Sequence, residues 1–114
     1  MSKLDDKIAS YQEEAKKLGL DIPSDFLAKV TKGLGPSIYK KDSESVSCSQ
    51  KSEMDTVKAN FLRKKLALSD DDKVLDDAIK EVCNKMGTSN RNKKRALFYA
   101  LLAQKFNKQH IYDA

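Results

Sequence analysis

The longest unbroken apolar run in the chain covers residues 96–103, with the sequence Ala-Leu-Phe-Tyr-Ala-Leu-Leu-Ala. Because an α-helix has about 3.6 residues per turn, eight consecutive apolar side chains cover it on every side. A helix that is apolar all round lies inside a bundle and not on its surface. The run therefore predicts a central helix over residues 90–106, with the other helices packed around it.

Apolar residues recur at helical spacing in four stretches that precede this run. These stretches are residues 4–18, 26–33, 54–68 and 74–86. Gly19 and Gly87 are placed to end the first and the fourth helix, and the capping-box pattern at residues 52–55 is placed to begin the third. The pattern predicts an all-α fold, a compact single-domain bundle of about five helices over residues 1–108, followed by a frayed tail at residues 109–114.

Two stretches interrupt the helical pattern. Residues 32–40 contain Gly33, Gly35 and Pro36 and predict a structural turn, since the spacing and the preceding strand of a phosphate-binding P-loop are both missing. Residues 40–51 contain four serines and few large apolar residues, and predict a mobile surface connection.

The charge of the chain is unevenly distributed. The net charge is +5, but the first 81 residues carry 15 basic and 16 acidic side chains, whereas residues 82–114 carry seven basic side chains and one acidic one. The excess positive charge therefore lies at the C-terminal end, which indicates an anionic partner.

The location of the protein follows from what the chain lacks. No apolar run approaches the roughly 18 to 20 residues that span a bilayer, so no membrane partner is expected. The first residues lack the apolar core of a secretory signal, which predicts a soluble cytoplasmic protein. The number and spacing of Cys48 and Cys83 do not suggest a disulfide framework or a metal site, and both are expected to be reduced thiols.

The start of the predicted last helix carries cations where natural helices favour acids. The candidate anion-binding residues are Ser89, Asn90, Arg91, Lys93, Lys94 and Arg95. Free amides at a helix start, together with these side chains, suit a phosphate or a carboxylate. The alternative is a solvated structural cluster beside the C-terminus of the preceding helix, whose free carbonyls attract cations.

Catalytic groups are hard to assemble from this chain, and we expect no enzyme activity, cofactor or metal. The one histidine, His110, lies in the predicted tail, so a serine or cysteine nucleophile has no well-placed base. The acidic run at residues 70–72 lacks the spacing and the glycine of a calcium-binding loop. No nucleophile, base and orienting group can be named together.

Three sequence blocks carry a resemblance to a known family. They are residues 29–39, with Lys-Gly-Leu-Gly-Pro-Ser-Ile-Tyr, residues 57–66, and residues 89–106, with Ser-Asn-Arg-Asn-Lys-Lys-Arg-Ala-Leu-Phe-Tyr. In this order the blocks resemble a family of small bacterial proteins classed as a domain of unknown function. The resemblance implies a compact helical domain in the bacterial cytoplasm and brings no ligand or catalytic residue with it.

Two functional hypotheses remain. The first is a non-enzymatic protein whose basic surface at residues 90–95, extended by residues 63–65, binds an anionic partner such as nucleic acid, through phosphate contacts and without sequence preference. The second is a protein-interaction module or a homo-oligomer that uses an exposed apolar patch. Its candidate residues are Tyr11, Phe26, Ile38 and Tyr39.

Overall fold

The computed structural model describes residues 3–87, 90 and 93–112, apart from the side chains of residues 41 and 42. The helices are α1 (Lys3–Lys17), α2 (Ser24–Leu34), α3 (Lys41–Glu44), α4 (Lys51–Thr56), α5 (Asp72–Lys85) and α6 (Arg95–Lys105). The π-helix Val57–Lys65 continues α4, and the 3-10 turns Gly35–Tyr39 and Gln109–Tyr112 follow α2 and α6. The strands β1 (Ser45–Val46) and β2 (Lys93–Lys94) complete the described elements. The predicted all-α bundle is confirmed.

The predicted central position of the last helix is also confirmed. Helix α6 contacts α1, α2 and α5, and seven of its eleven residues are buried. These are Ala96, Leu97, Phe98, Ala100, Leu101, Leu102 and Ala103. The all-apolar run therefore forms the centre of the core, because all of its residues except the partly buried Tyr99 are buried.

The predicted start of this helix at residue 90 is wrong. Helix α6 begins at Arg95, and the two residues before it form β2, which pairs with β1 in antiparallel register. Ser45 lies opposite Lys94 and Val46 lies opposite Lys93. Lys94 is extended, with φ −64° and ψ 131°, and an extended residue does not continue a helix backwards along the chain.

The third helix begins two residues earlier than the capping-box pattern predicts, since its N-cap is Gln50 and not Ser52. Helix α4 starts at Lys51 after Gln50, and no side chain caps its first turn. It then widens into the π-helix, in which Leu66 N donates to Phe61 O at 2.8 Å, five residues back. The π-helix buries Val57, Phe61 and Leu62. It also carries Lys58 towards α5, where Lys58 Nζ lies 3.0 Å from Asp76.

The segment between α2 and α4 is not a simple surface connection. It contains α3 and β1, and Val46 is buried at 4% exposure. Because β1 pairs with β2, residues distant in sequence hold this segment against the start of α6.

The predicted tail contains a short element at residues 109–112. This stretch forms a 3-10 turn, and the Tyr112 ring packs edge-on against Phe26 with the ring centroids 5.7 Å apart. A Cβ atom at position 33 would lie only 3.2 Å from Tyr112 Cε1. Because glycine has no Cβ, the Tyr112 ring can pack closely against the backbone at Gly33. The end of the described chain is therefore packed on α2.

No helix within the described ranges 3–87 and 93–112 has both the length and the apolar character needed to cross a membrane.

Candidate anion-binding groove

A groove of about 570 Å³ lies between the turn 47–50, α4 with the start of its π-helical continuation, α5 and β2. Its lining contains four lysines, two aspartates, both cysteines and a few apolar or neutral polar side chains. These residues are Cys48, Ser49, Lys51, Met54, Asp55, Lys58, Asp76, Ile79, Lys80, Cys83, Asn84 and Lys93. Lysines outnumber carboxylates in this lining by two to one.

Strand β2 separates its two lysines. Successive side chains of a strand point to opposite faces, so Lys93 and Lys94 diverge. Lys93 lines the groove, whereas Lys94 lies 3.5 Å from Glu44 on the other side of the strand. The short strand therefore delivers one of the predicted basic residues to the groove.

Lys93 is the most deeply buried cation that lines the groove, at 5% exposure. Its Nζ donates to Asn90 O at 2.5 Å, and the Asn90 side chain in turn donates to Met86 O at the end of α5. No ion pair among the described residues includes Lys93. A buried charge is costly unless it is paired, and an ammonium group has three donors. Lys93 therefore lines the groove without a carboxylate partner among the described residues.

Two of the other groove lysines are neutralised locally. Lys51 Nζ lies 2.9 Å from Asp55 and Lys58 Nζ lies 3.0 Å from Asp76. The hydrogen bond to the Asp76 carboxylate raises the pKa of Lys58, so this ammonium group stays charged at neutral pH. Lys80 is exposed on α5 and takes part in no ion pair among the described residues. The net positive charge of the groove thus comes from Lys80 and Lys93.

Lys94 belongs to a separate cluster around Glu44. The Glu44 carboxylate accepts hydrogen bonds from Lys7 Nζ and from the Tyr11 hydroxyl, both at 2.6 Å. Burial alone raises the pKa of Glu44, but these hydrogen bonds and the neighbouring ammonium charges outweigh burial and hold the pKa below its usual value. Burial and the same carboxylate raise the pKa of Tyr11 far above its ordinary value. The cluster fastens α3 to α1 and β2.

Arg95 is turned inward and is engaged by the protein itself. Its Nη2 donates to Glu53 Oε1 at 2.6 Å, its Nε to Ser43 O at 2.7 Å, and its Nη1 to the Tyr99 hydroxyl at 2.9 Å. A longer bond of 3.4 Å joins Nη2 to Ser45 O. The rigid guanidinium fork suits such multiple contacts. Arg95 therefore ties α3 and α4 to the first turn of α6.

The structure divides the six predicted anion-binding residues. Lys93 lines the groove and Asn90 holds its ammonium group, whereas Lys94 and Arg95 serve internal contacts. Ser89 and Arg91 lie outside the described residues. Because α6 starts at Arg95, the predicted helix start is not at Asn90, and the free amides expected there are displaced along the chain.

The basic residues 63–65 do not extend the groove. Arg63 donates to Asp72 at 2.5 Å and to the Leu68 carbonyl at 3.3 Å. Lys65 Nζ lies 5.2 Å from the centroid of the Tyr112 ring, in a cation–π contact. These side chains support the turn before α5 and the C-terminal turn.

The groove contains residues that the sequence did not single out, among them Lys58, Asp76 and Lys80. Asp76 and Lys80 are one helical turn apart on α5, which places them on one face. The spacing of Asp76 and Lys80 can be read from the sequence. The position of Lys58 cannot, because it depends on how its helix packs against α5.

The expectation of two reduced thiols is wrong, since Cys48 and Cys83 form a disulfide. Their Cα atoms lie 6.2 Å apart, and the two cysteines are separated by 35 positions in sequence. Cys83 is buried on α5, and the packing of β1 on β2 brings the following turn 47–50 over it. The disulfide joins this turn to α5 at the edge of the groove.

The apolar residues of the second hypothesis are mostly covered. Tyr11 and Ile38 are 1% exposed and Phe26 is 8% exposed, whereas Tyr39 is 47% exposed. Leu18 and Val74 are the other large apolar residues at the surface of the described chain.

The comparison with known proteins identifies a family whose function is unknown. The model of a family described only as a protein of unknown function matches residues 10–110. No curated protein matches the chain.

Proposed function

The chain belongs to the DUF2853 family of proteins of unknown function, and we propose that it is a non-enzymatic protein of the bacterial cytoplasm that binds nucleic acid at the groove around Lys93. The observation that carries this proposal is the Lys93 ammonium group, which is buried at the groove without a carboxylate partner among the described residues. A bound phosphate supplies the missing negative charge, because charge-assisted hydrogen bonds to an ammonium group are strong.

Lys80 and the paired lysines extend this site along the groove. A nucleic-acid backbone presents a row of phosphates, and lysines neutralise phosphates as point charges. Lys51 and Lys58 keep their charge while bound to Asp55 and Asp76, and each ammonium group has further donors for a second acceptor. Such contacts position a backbone and carry no sequence information. We therefore expect binding without base preference.

The described chemistry supports binding over catalysis. Both cysteines are joined in the disulfide, so neither is a nucleophile in the oxidised protein. His110 is exposed in the C-terminal turn and not at the groove. Two groove lysines are paired with aspartates and two, Lys80 and Lys93, have no carboxylate partner among the described residues, which suits the docking of an anion.

The interaction-module hypothesis has weaker support. Three of its four named apolar residues are buried in the single chain, and the exposed Tyr39 offers little area for a stable contact on its own.

Fluorescence anisotropy with labelled single-stranded and double-stranded oligonucleotides at several salt concentrations tests the proposal. About two phosphate contacts, at Lys80 and Lys93, predict that log K falls with log salt with a slope of about −1.4 for a single strand. Lys80→Gln and Lys93→Met should each weaken binding and make this slope shallower. Lys85→Gln is the matched control, since Lys85 lies on the same helix and is exposed but is absent from the groove lining.

The outcomes of this titration distinguish a nucleic-acid partner from a small phosphate ligand. Competition by inorganic phosphate with no binding of oligonucleotide would identify a small phosphate ligand and contradict the nucleic-acid proposal. Equal weakening by Lys80→Gln and Lys85→Gln would indicate general charge attraction and remove the groove from the proposal.

A further inference from the structure

The groove has a covalent feature that the binding proposal does not use. Cys48 and Cys83 both line it, and their disulfide joins the turn 47–50 to α5. Ser49 in the same turn and Lys51 just after it also line the groove. The disulfide therefore fixes one wall of the groove to the wall that carries Lys80.

The turn and the segment before it are held in different ways. The segment before the turn is fastened to the start of α6, because β1 pairs with β2 and Arg95 donates to Ser43 O. Hydrogen bonds within the turn are local, since Gln50 N donates to Ser47 O and the hydroxyls of Ser47 and Ser49 lie 3.3 Å apart. Breaking the disulfide should therefore release the turn while the strand pair stays in place.

A reductant has access to the bond. Cys48 is only partly buried, and the groove beside it is open to solvent. A dithiol reductant attacks one sulfur through its thiolate and forms a mixed disulfide. Its second thiolate then releases the protein sulfur. The protein gains two electrons and two protons as two thiols, and the reductant leaves as a disulfide.

Reduction changes one wall of the groove. The turn carries Cys48 and Ser49, and Lys51 follows it, so the disulfide fixes the distance between these residues and Lys80 on the opposite wall. The loosened turn lowers the affinity for an anion that contacts both walls.

We propose that the Cys48–Cys83 disulfide is a redox switch that sets the anion affinity of the groove, with the oxidised protein binding and the reduced protein releasing. This inference rests on the proposed function, because it regulates the same site. Cytosolic thiol systems keep most cysteines reduced, and cytosolic disulfides are usually transient or redox-sensing. In the cytoplasm, where the sequence predicts this protein, the groove would bind its partner under oxidising conditions.

The test measures oligonucleotide anisotropy with the oxidised protein, with the same protein reduced by dithiothreitol, and with the double variant Cys48→Ser/Cys83→Ser. Thiol labelling and mass spectrometry establish the redox state, and circular dichroism establishes that each form is folded. We expect the affinity to fall at least fivefold on reduction. The double variant should bind as weakly as the reduced protein and should not respond to dithiothreitol.

Amide hydrogen exchange of the oxidised and reduced wild-type protein gives a second measurement that does not depend on the variant. Exchange should accelerate at residues 47–50 and stay unchanged in α6. Equal affinity of the two wild-type forms would overturn the switch and leave the binding proposal intact. No binding by the oxidised protein would overturn the binding proposal, and the switch with it. Unchanged exchange at residues 47–50 would overturn the release of the turn.

Discussion

Arg95 Nη2 donates to Glu53 Oε1 at 2.6 Å, and this contact joins the first turn of the central helix to α4 across 42 residues of sequence. The Arg95 side chain is only 12% exposed. A basic residue that the sequence assigns to an anion-binding surface is thus a structural connector. We propose the anion-binding role for Lys93, two residues earlier, which lines the groove.

Replacing Arg95 with lysine should destabilise the protein although the charge is kept. Lysine cannot reproduce the guanidinium fork that serves Glu53, Ser43 O and Tyr99. Hydrogen bonds that involve a charged group are worth about 1.5 to 3 kcal/mol, so we expect a loss of this size in the free energy of unfolding in urea. Arg63→Lys is the control and should cost less, because the Asp72 partner of Arg63 is exposed. Equal losses would contradict the structural role of Arg95.

The Glu44 cluster predicts an acid-sensitive stability. Because the folded-state pKa of Glu44 is lowered, its contribution is present above the unfolded-state pKa of about 4.3 and is lost as the pH falls through the lower folded value. Glu44→Gln should lower the melting temperature at pH 7, and the difference from wild type should shrink below pH 4. Glu13→Gln, an exposed change on α1, should have no such profile. A difference for Glu44→Gln that is constant from pH 7 to pH 3 would argue against the cluster.

Tyr112 predicts a sensitivity at the alkaline end. Burial raises the pKa of Tyr112 to about 12, so its stabilising contribution is complete below the unfolded-state pKa of about 10 and is lost as the pH rises towards 12. Tyr112→Phe keeps the ring against Phe26 but cannot ionise, and should reduce the loss of stability between about pH 10 and pH 12. Tyr39→Phe is the control, because Tyr39 is 47% exposed. Thermal melts across this pH range measure both, and identical profiles for the two variants would rule out a buried Tyr112.

Removing the disulfide should lower stability without changing the fold. A bond that closes a loop of this size is worth about 2 to 4 kcal/mol, mainly because it restricts the unfolded chain. Cys48→Ser/Cys83→Ser should therefore unfold at lower urea concentration than the oxidised protein. Its free energy of unfolding should match that of the reduced wild type within about 1 kcal/mol, which allows for the thiol-to-hydroxyl change. A double variant as stable as the oxidised protein would contradict a disulfide between Cys48 and Cys83.

Helical periodicity predicted the bundle and its centre because each signal was local. The all-apolar stretch at residues 96–103 forces burial wherever it lies, and Gly19 and Gly87 adopt the positive φ values of 71° and 102° that end helices. Leu68, after the third helix, is buried at 9% exposure as the pattern indicated. These features need no knowledge of the rest of the chain.

The candidate site could not be predicted from the sequence, because it is formed by contacts between residues that are distant along the chain. The two-residue strand at Lys93 pairs with β1, which lies 47 residues away in sequence. Because of this pairing, α6 begins at Arg95 and not at Asn90. The same packing placed Cys48 over Cys83 and made a disulfide from two cysteines with no recognisable spacing. Tertiary contacts overrode the local preference for helix in β2 and the expectation of a mobile loop before α4.

The most direct measurement is a titration of ¹⁵N-labelled oxidised protein with a short single-stranded oligonucleotide, followed by amide chemical shifts. Binding at the groove predicts that the largest shifts occur at Ser49, Lys51, Lys80, Asn84 and Lys93, and that Lys93→Met reduces them. Shifts confined to residues 63–65 or to Tyr39, with none at Lys80 or Lys93, would contradict the groove as the site of function.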